Sequence, residues 1–168
     1  METHCQDTHR AEDTPAGRSL SGESGVAIVE FALVLPILML LIVAIFDFGR
    51  ALNYWADTTH LASEGARMAA VDRIPGGGTS LQAWLRDQAD SGELKNGGSQ
   101  SVPDPVEVCV SSDGEGEVGD PVEVTVSFTY HWNSVLALAG KIVAPTTVKG
   151  TATMRRERVA DVVTDGCE

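Results

Sequence analysis

Basic residues are scarce in this chain. Twelve lysines and arginines stand against 24 aspartates and glutamates, a formal net charge of −12. No basic stripe is left to grip phosphates, which argues against a nucleic-acid partner. Aromatic residues make up only 5% of the sequence, cysteines number three, and there is one long apolar run. That profile fits neither a disordered chain nor a polytopic membrane protein. Catalytic signatures are missing as well. Gly76-Gly77-Gly78 has neither the preceding strand nor the lysine of a phosphate-binding loop. His4, Cys5 and His9 are ligand types at a spacing that fits no structural zinc site. Asp113-Gly114-Glu115-Gly116-Glu117 offers too few regularly spaced oxygens for an EF-hand-like calcium loop. Asp57, His60 and Ser63 share a helix face, but a hydrolase triad needs a pocket and oxyanion donors that a surface helix does not supply. The expectation is a protein that is not an enzyme and needs no cofactor or metal.

What is present is the apolar run. From Val26 to Phe46 the only charge is Glu30. As a helix this stretch reaches roughly 32 Å, against about 30 Å of bilayer hydrocarbon. A core helix would be shorter and show a polar face. A cleaved secretory signal would have a shorter apolar core followed by small residues, whereas Ile45-Phe46-Asp47-Phe48 stand here. At 168 residues, the chain suits one domain plus this anchor. Arg10 and Arg18 before the run and Arg50 after it barely decide orientation. Cysteine placement adds a weak argument. With the N-terminus in the cytoplasm, Cys5 stays reduced while Cys109 and Cys167 lie outside and can pair. A chance placement of the two explains the count equally well.

Two readings of Glu30 stand side by side. A carboxylate in lipid costs several kcal/mol, on the order of the membrane-insertion penalties for charges, unless it is paired. Were the chain cut after Gly25, the new Val26 amine and Glu30 would share a helix face at i and i+4. A neighbouring subunit shifted along the axis would then pair with both. Alternatively, Glu30 lies at the membrane surface and is solvated.

The stretch Gly25-Val26-Ala27-Ile28-Val29-Glu30-Phe31 resembles the processing site of prepilins of the tight-adherence class. The continuation from Glu30 to Leu52, with FGRAL, is similar to the TadE-like family, as is ASEGARMAA at Ala62–Ala70. TATMRRE at Thr151–Glu157 is similar to the last strand of that family. The resemblance is close over residues 24–71 and loose over 106–158. The leader departs from it: residues 1–25 hold two basic and five acidic groups, where such leaders are basic. The resemblance implies a minor pseudopilin of Flp-type pili, cut by a prepilin peptidase between Gly25 and Val26. Glu30 and Phe31 would serve assembly. Its partners would be other pseudopilins or the major pilin and the pilus assembly platform. A rival reading is a membrane-tethered binding domain that is never processed.

Beyond the membrane the helix continues to about Asp72, where Ile74-Pro75 and three glycines end it. Ala62, Gly65, Ala66 and Ala70 form a small-residue stripe on this part. It suits either a helix of another subunit or this protein's own sheet. Glu64 and Arg67 stand at i and i+3 as a surface pair. Ser80 opens a short helix from Leu81 to Asp90, and residues 91–105 read as loop. Strict alternation then marks three half-buried strands, around Val106–Ser111, Val122–Tyr130 and Val148–Arg155. The apolar link at residues 134–143 reads as a short buried helix or as a patch facing a partner or the membrane. Arg155, Arg156 and Arg158 read as pairing with the acidic surface.

The expected fold is α+β and pilin-like: a spine helix covering one face of a three-stranded antiparallel sheet. Its parts are a leader (1–25), a transmembrane helix (26–46), the outer continuation of that helix (47–73), a linker (74–105) and a β-rich region (106–168).

Overall fold

The computed structural model describes residues 23–132 and 144–168. Helix α1 runs from Glu23 to Ala70. Between Val26 and Phe48 it has no glycine and only Pro36 as a potential breaker, so leucine, isoleucine, valine and alanine propagate it. It is the one helix among the described residues long and apolar enough to span a membrane. The chain divides into two compact units after Leu38. In the first, every residue from Gly25 to Leu38 is exposed. A helix apolar all round apart from Glu30, with no protein cover, has lipid as its natural solvent.

The second unit is the α+β domain. After α1 come a 3-10 turn (Pro75–Gly77), α2 (Leu81–Asp87) and α3 (Gly92–Asn96). Strands β1 (Glu107–Ser112), β2 (Pro121–Tyr130), β3 (Thr146–Arg155) and β4 (Gly166–Cys167) follow. The sheet is antiparallel in the order β3-β2-β1-β4. It therefore has four strands where the periodicity gives three. The fourth is two residues long, too short to show alternation, and pairs Cys109 with Cys167.

The inner face of the sheet carries the core. Val108, Val110, Val122, Val124, Val126, Phe128 and Tyr130 are all buried. The distal half of α1 packs on it through Leu61, Ala62, Ala66 and Ala69, none more than 1% exposed. Two glycines set how closely. A Cβ at Gly65 would lie 2.6 Å from Leu85 Cδ1, and one at Gly150 would lie 2.5 Å from the carbonyl oxygen of Thr58. Gly150 thus lets the backbones of β3 and α1 touch.

α1 ends in a Schellman motif. Asp72 N–H donates to Ala69 O (3.2 Å) and Arg73 N–H to Met68 O (3.0 Å). Asp72 has φ +50°, the position where glycine is usual. An aspartate serves here because its carboxylate accepts the N–H groups of Asp161, Val162 and Val163 at 2.8–3.1 Å. These bonds tie the C-terminal segment to the helix end. Burial alone would raise the Asp72 carboxyl, but the three donors, helped by nearby Arg156, outweigh it and hold it below its ordinary value.

The linker is more helical than its composition suggests. Ser80 caps α2 by accepting Ala83 N–H (3.1 Å), and α2 stops at Asp87 rather than Asp90. Within the stretch read as loop, Ser91 caps α3 by accepting Leu94 N–H (3.1 Å). Five residues are too few for a helical period, but Leu94 is fully buried and anchors the turn.

Candidate functional site

Gly25, Val26, Glu30 and Phe31 all lie exposed on α1. The Gly25–Val26 bond falls in the first turn of the helix, and Val26 and Glu30 are one turn apart on the same side. The apolar surface does not stop at Phe46. Phe48, Leu52 and Trp55 are 55%, 47% and 52% exposed. Gly49 lies among them, and a Cβ built there would meet nothing within 4 Å. A groove of about 340 Å³ lies further round the helix from Phe48, Leu52 and Trp55, lined by Ile45, Phe46, Gly49, Arg50, Asn53 and Tyr54. Apart from this patch, only Val118, Val159 and Val162 are large exposed apolar side chains among the described residues beyond the span. Exposed apolar side chains grouped in this way mark a contact with a membrane or with another protein.

The opposite side of the same turns faces the sheet. Asp47, just after the apolar run, is buried and accepts the Tyr130 hydroxyl at 2.7 Å. Burial, reinforced by Asp47, pushes the Tyr130 hydroxyl up to about 12. Two turns on, Tyr54 donates to Glu93, which also pairs with Arg50 at 3.2 Å. Tyr54 is raised too, by burial and then by Glu93. Its ring meets Phe128 edge-on at 5.9 Å, and Tyr130 meets Trp132 in the same way at 5.0 Å. Next along the helix, Asp57 accepts Asp90 N–H at 3.1 Å, and burial raises its carboxyl. Polar groups on one helix edge therefore register α1 on the sheet, the linker and α3. Sequence reasoning missed Asp47, Tyr54, Glu93 and Tyr130 as a set. The available signal was a charged residue, Asp47, set directly against the apolar run.

The remaining sequence-based candidates fall as follows. Ala62, Gly65, Ala66 and Ala70 are buried against this protein's own sheet and α2, so of the two readings of that stripe the internal one is observed. Cys109 and Cys167 are joined in a disulfide between β1 and β4. Asp57, His60 and Ser63 do not converge: Asp57 caps residue 90 and Ser63 donates to Thr59 O. Among the described residues, Arg67 makes no ion pair with Glu64. The basic run does not simply pair at the surface. Arg156 is buried, donates to Ser112 Oγ at 2.8 Å and lies 3.8 Å from Asp165, while Arg155 donates to Gly119 O. His4, Cys5, His9 and the link at 134–143 lie outside the described residues.

Fold and surface together define an α+β protein whose long N-terminal helix is apolar enough to cross a membrane and keeps an open apolar face beyond it. Residues 25–67, roughly a quarter of the chain, match the family model described as TadE-like protein. The resemblance carried by GVAIVEF, FGRAL and EGAR is thereby shown over this segment. Comparison with curated proteins and with solved structures gives no match.

Proposed function

We propose that the chain is a minor pseudopilin of an Flp-type, tight-adherence pilus or a related secretion system, acting in assembly or anchoring and not as an enzyme. The observation that carries this reading is the overlap of two features on one helix. The TadE-like match covers residues 25–67, and within it the apolar face of α1 stays open through Trp55. In this reading a prepilin peptidase cuts after Gly25. The leader faces the cytoplasm and the α+β domain lies outside, where an oxidising compartment supports the Cys109–Cys167 bond. The mature helix then joins other pseudopilins, or the major pilin and its assembly platform, within the membrane.

Glu30 serves assembly rather than folding of the outer domain. Its carboxylate is exposed on the helix, four residues from the proposed new amine, and needs a partner in lipid. Glu30→Leu is expected to insert, fold and be cleaved normally, yet to lose cross-linking to partner subunits and piliation. Cross-linking and piliation equal to wild type would contradict the assembly role.

A further inference from the structure

For so acidic a chain, one end of the outer domain is unusually basic. Where α1 stops beside the end of β3, a groove of about 520 Å³ is lined by Arg67, Arg73 and Arg155, with Met68 and Met154 among its apolar residues. Glu157 is its one acid. The ion pairs among the described residues lie elsewhere, so Arg67 and Arg73 have no carboxylate partner, and Arg155 meets only the Gly119 carbonyl, at 2.9 Å.

Next to this groove stands its chemical opposite. The β1–β2 turn presents Asp113, Glu115 and Glu117, all exposed, followed by Val118 at 61% exposure. None of these three carboxylates forms an ion pair among the described residues. The two features are close neighbours, because Arg155 pairs with Pro121 in the β-ladder at the foot of the turn. One molecule therefore carries, side by side, an unpaired basic groove with apolar walls and an unpaired acidic turn with an apolar residue. The fold keeps them from neutralising each other.

We propose that this end is a two-fold interface between copies of the chain. The turn 113–118 of one copy seats in the groove of the other, and the reverse contact forms at the same time. Glu115 and Glu117 face Arg67 and Arg73 of the second copy, and Val118 meets Met68 and Met154. A two-fold contact requires a surface complementary to itself, which adjacent patches of opposite charge provide. Copies anchored alike in one membrane present these patches at the same height, and confinement to that membrane raises their effective concentration. The proposal is independent of the pilus reading, since it uses neither Gly25 nor Glu30.

The test uses full-length protein carrying donor or acceptor dyes, reconstituted in lipid vesicles, with energy transfer between copies as the readout. Wild type is expected to show transfer that falls severalfold as salt rises from about 0.05 to 0.5 M, where screening shortens to a few Å. R67E/R73E alone and E115R/E117R alone are each expected to lose at least tenfold in association. Mixing these two variants should restore it, because both contacts then regain opposite charges. Intact Cys109–Cys167 in every variant reports that the domain has folded. Monomeric wild type, dimers indifferent to both reversals, or two losses with no restoration on mixing would each overturn the proposal.

Discussion

Two stretches of α1 obey different rules. From Gly25 to Leu38 every residue is exposed, and the side chains are apolar all round apart from Glu30. From Ala51 to Ala70 the helix is two-faced, with Tyr54, Leu61, Ala62, Ala66 and Ala69 buried and Asn53, His60, Ser63 and Arg67 in the open. Sequence alone separates them, since a run without polar residues needs lipid and an amphipathic run needs a core. Between the two lies the informative overlap, Ile45–Trp55, where buried polar groups on one edge coexist with exposed apolar ones on the other. Arg50 and Asn53 are exposed there as well, so these turns offer both polar and apolar groups to a membrane or a partner.

The comparison can be broken first on the packed side. Removing the disulfide with Cys109→Ser should cost about 4 kcal/mol, because the closed loop is long. Its sequence separation is 58 residues. Thermal unfolding of the outer domain should fall accordingly while membrane insertion stays unchanged. A variant as stable as wild type would show that β4 docks without the bond.

Glycines sharpen the contrast. Gly150→Ala would drive a methyl into the Thr58 carbonyl, and the backbone must move, so a loss of about 3 kcal/mol is expected. Gly65→Ala meets side chains only, Leu85 Cδ1 at 2.6 Å and the stiffer Val124 Cγ1 at 3.0 Å, so a loss of about 1–2 kcal/mol is expected after the gain in helix propensity. Gly49→Ala meets nothing and should stabilise the isolated protein by up to about 1 kcal/mol. Denaturant midpoints would rank the three, and a Gly49→Ala loss as large as that of Gly150→Ala would refute the assignment of faces.

Asp72 supplies the pH dependence. Its folded pKa is depressed, so its contribution is present above the ordinary carboxylate value and is lost as pH falls through the lower folded value. Protection of the Asp161, Val162 and Val163 amides, taken relative to their intrinsic exchange rates at each pH, should therefore fall in acid. Asp72→Asn should lower the same protection at neutral pH, with a stability loss of about 1–2 kcal/mol, in the range for hydrogen bonds to a charged acceptor. Protection at these three amides that is indifferent to pH and to Asp72→Asn would dismiss the tether. The smallest effect on folding is expected on the open side. Leu52→Ser with Trp55→Ser should leave stability within about 0.5 kcal/mol, as surface changes do, yet abolish cross-linking to partner subunits.

Much of this was legible beforehand. The apolar run, the α+β class and three strands follow from length and periodicity, whereas compartment logic left the pairing of Cys109 with Cys167 even with chance. What escaped has a common physical cause. β4, α3 and the Asp72 tether are too short to carry a period, and each exists because distant residues meet: Cys167 with Cys109, Leu94 with the core, and Asp72 with the amides of Asp161–Val163. The Asp47–Tyr130 bond joins residues 83 positions apart, beyond the reach of any local pattern. The small-residue stripe was ambiguous because close approach to a neighbour's helix and to one's own sheet require the same side chains.

In the proposed function, α1 becomes an assembly helix once the leader is removed. Intact-mass spectrometry of the membrane-extracted protein, compared with Gly25→Leu, tests it most directly. The account predicts a mature chain beginning at Val26 and a Gly25→Leu chain that keeps residues 1–25. A wild-type chain that retains its leader, or that begins elsewhere, would contradict it.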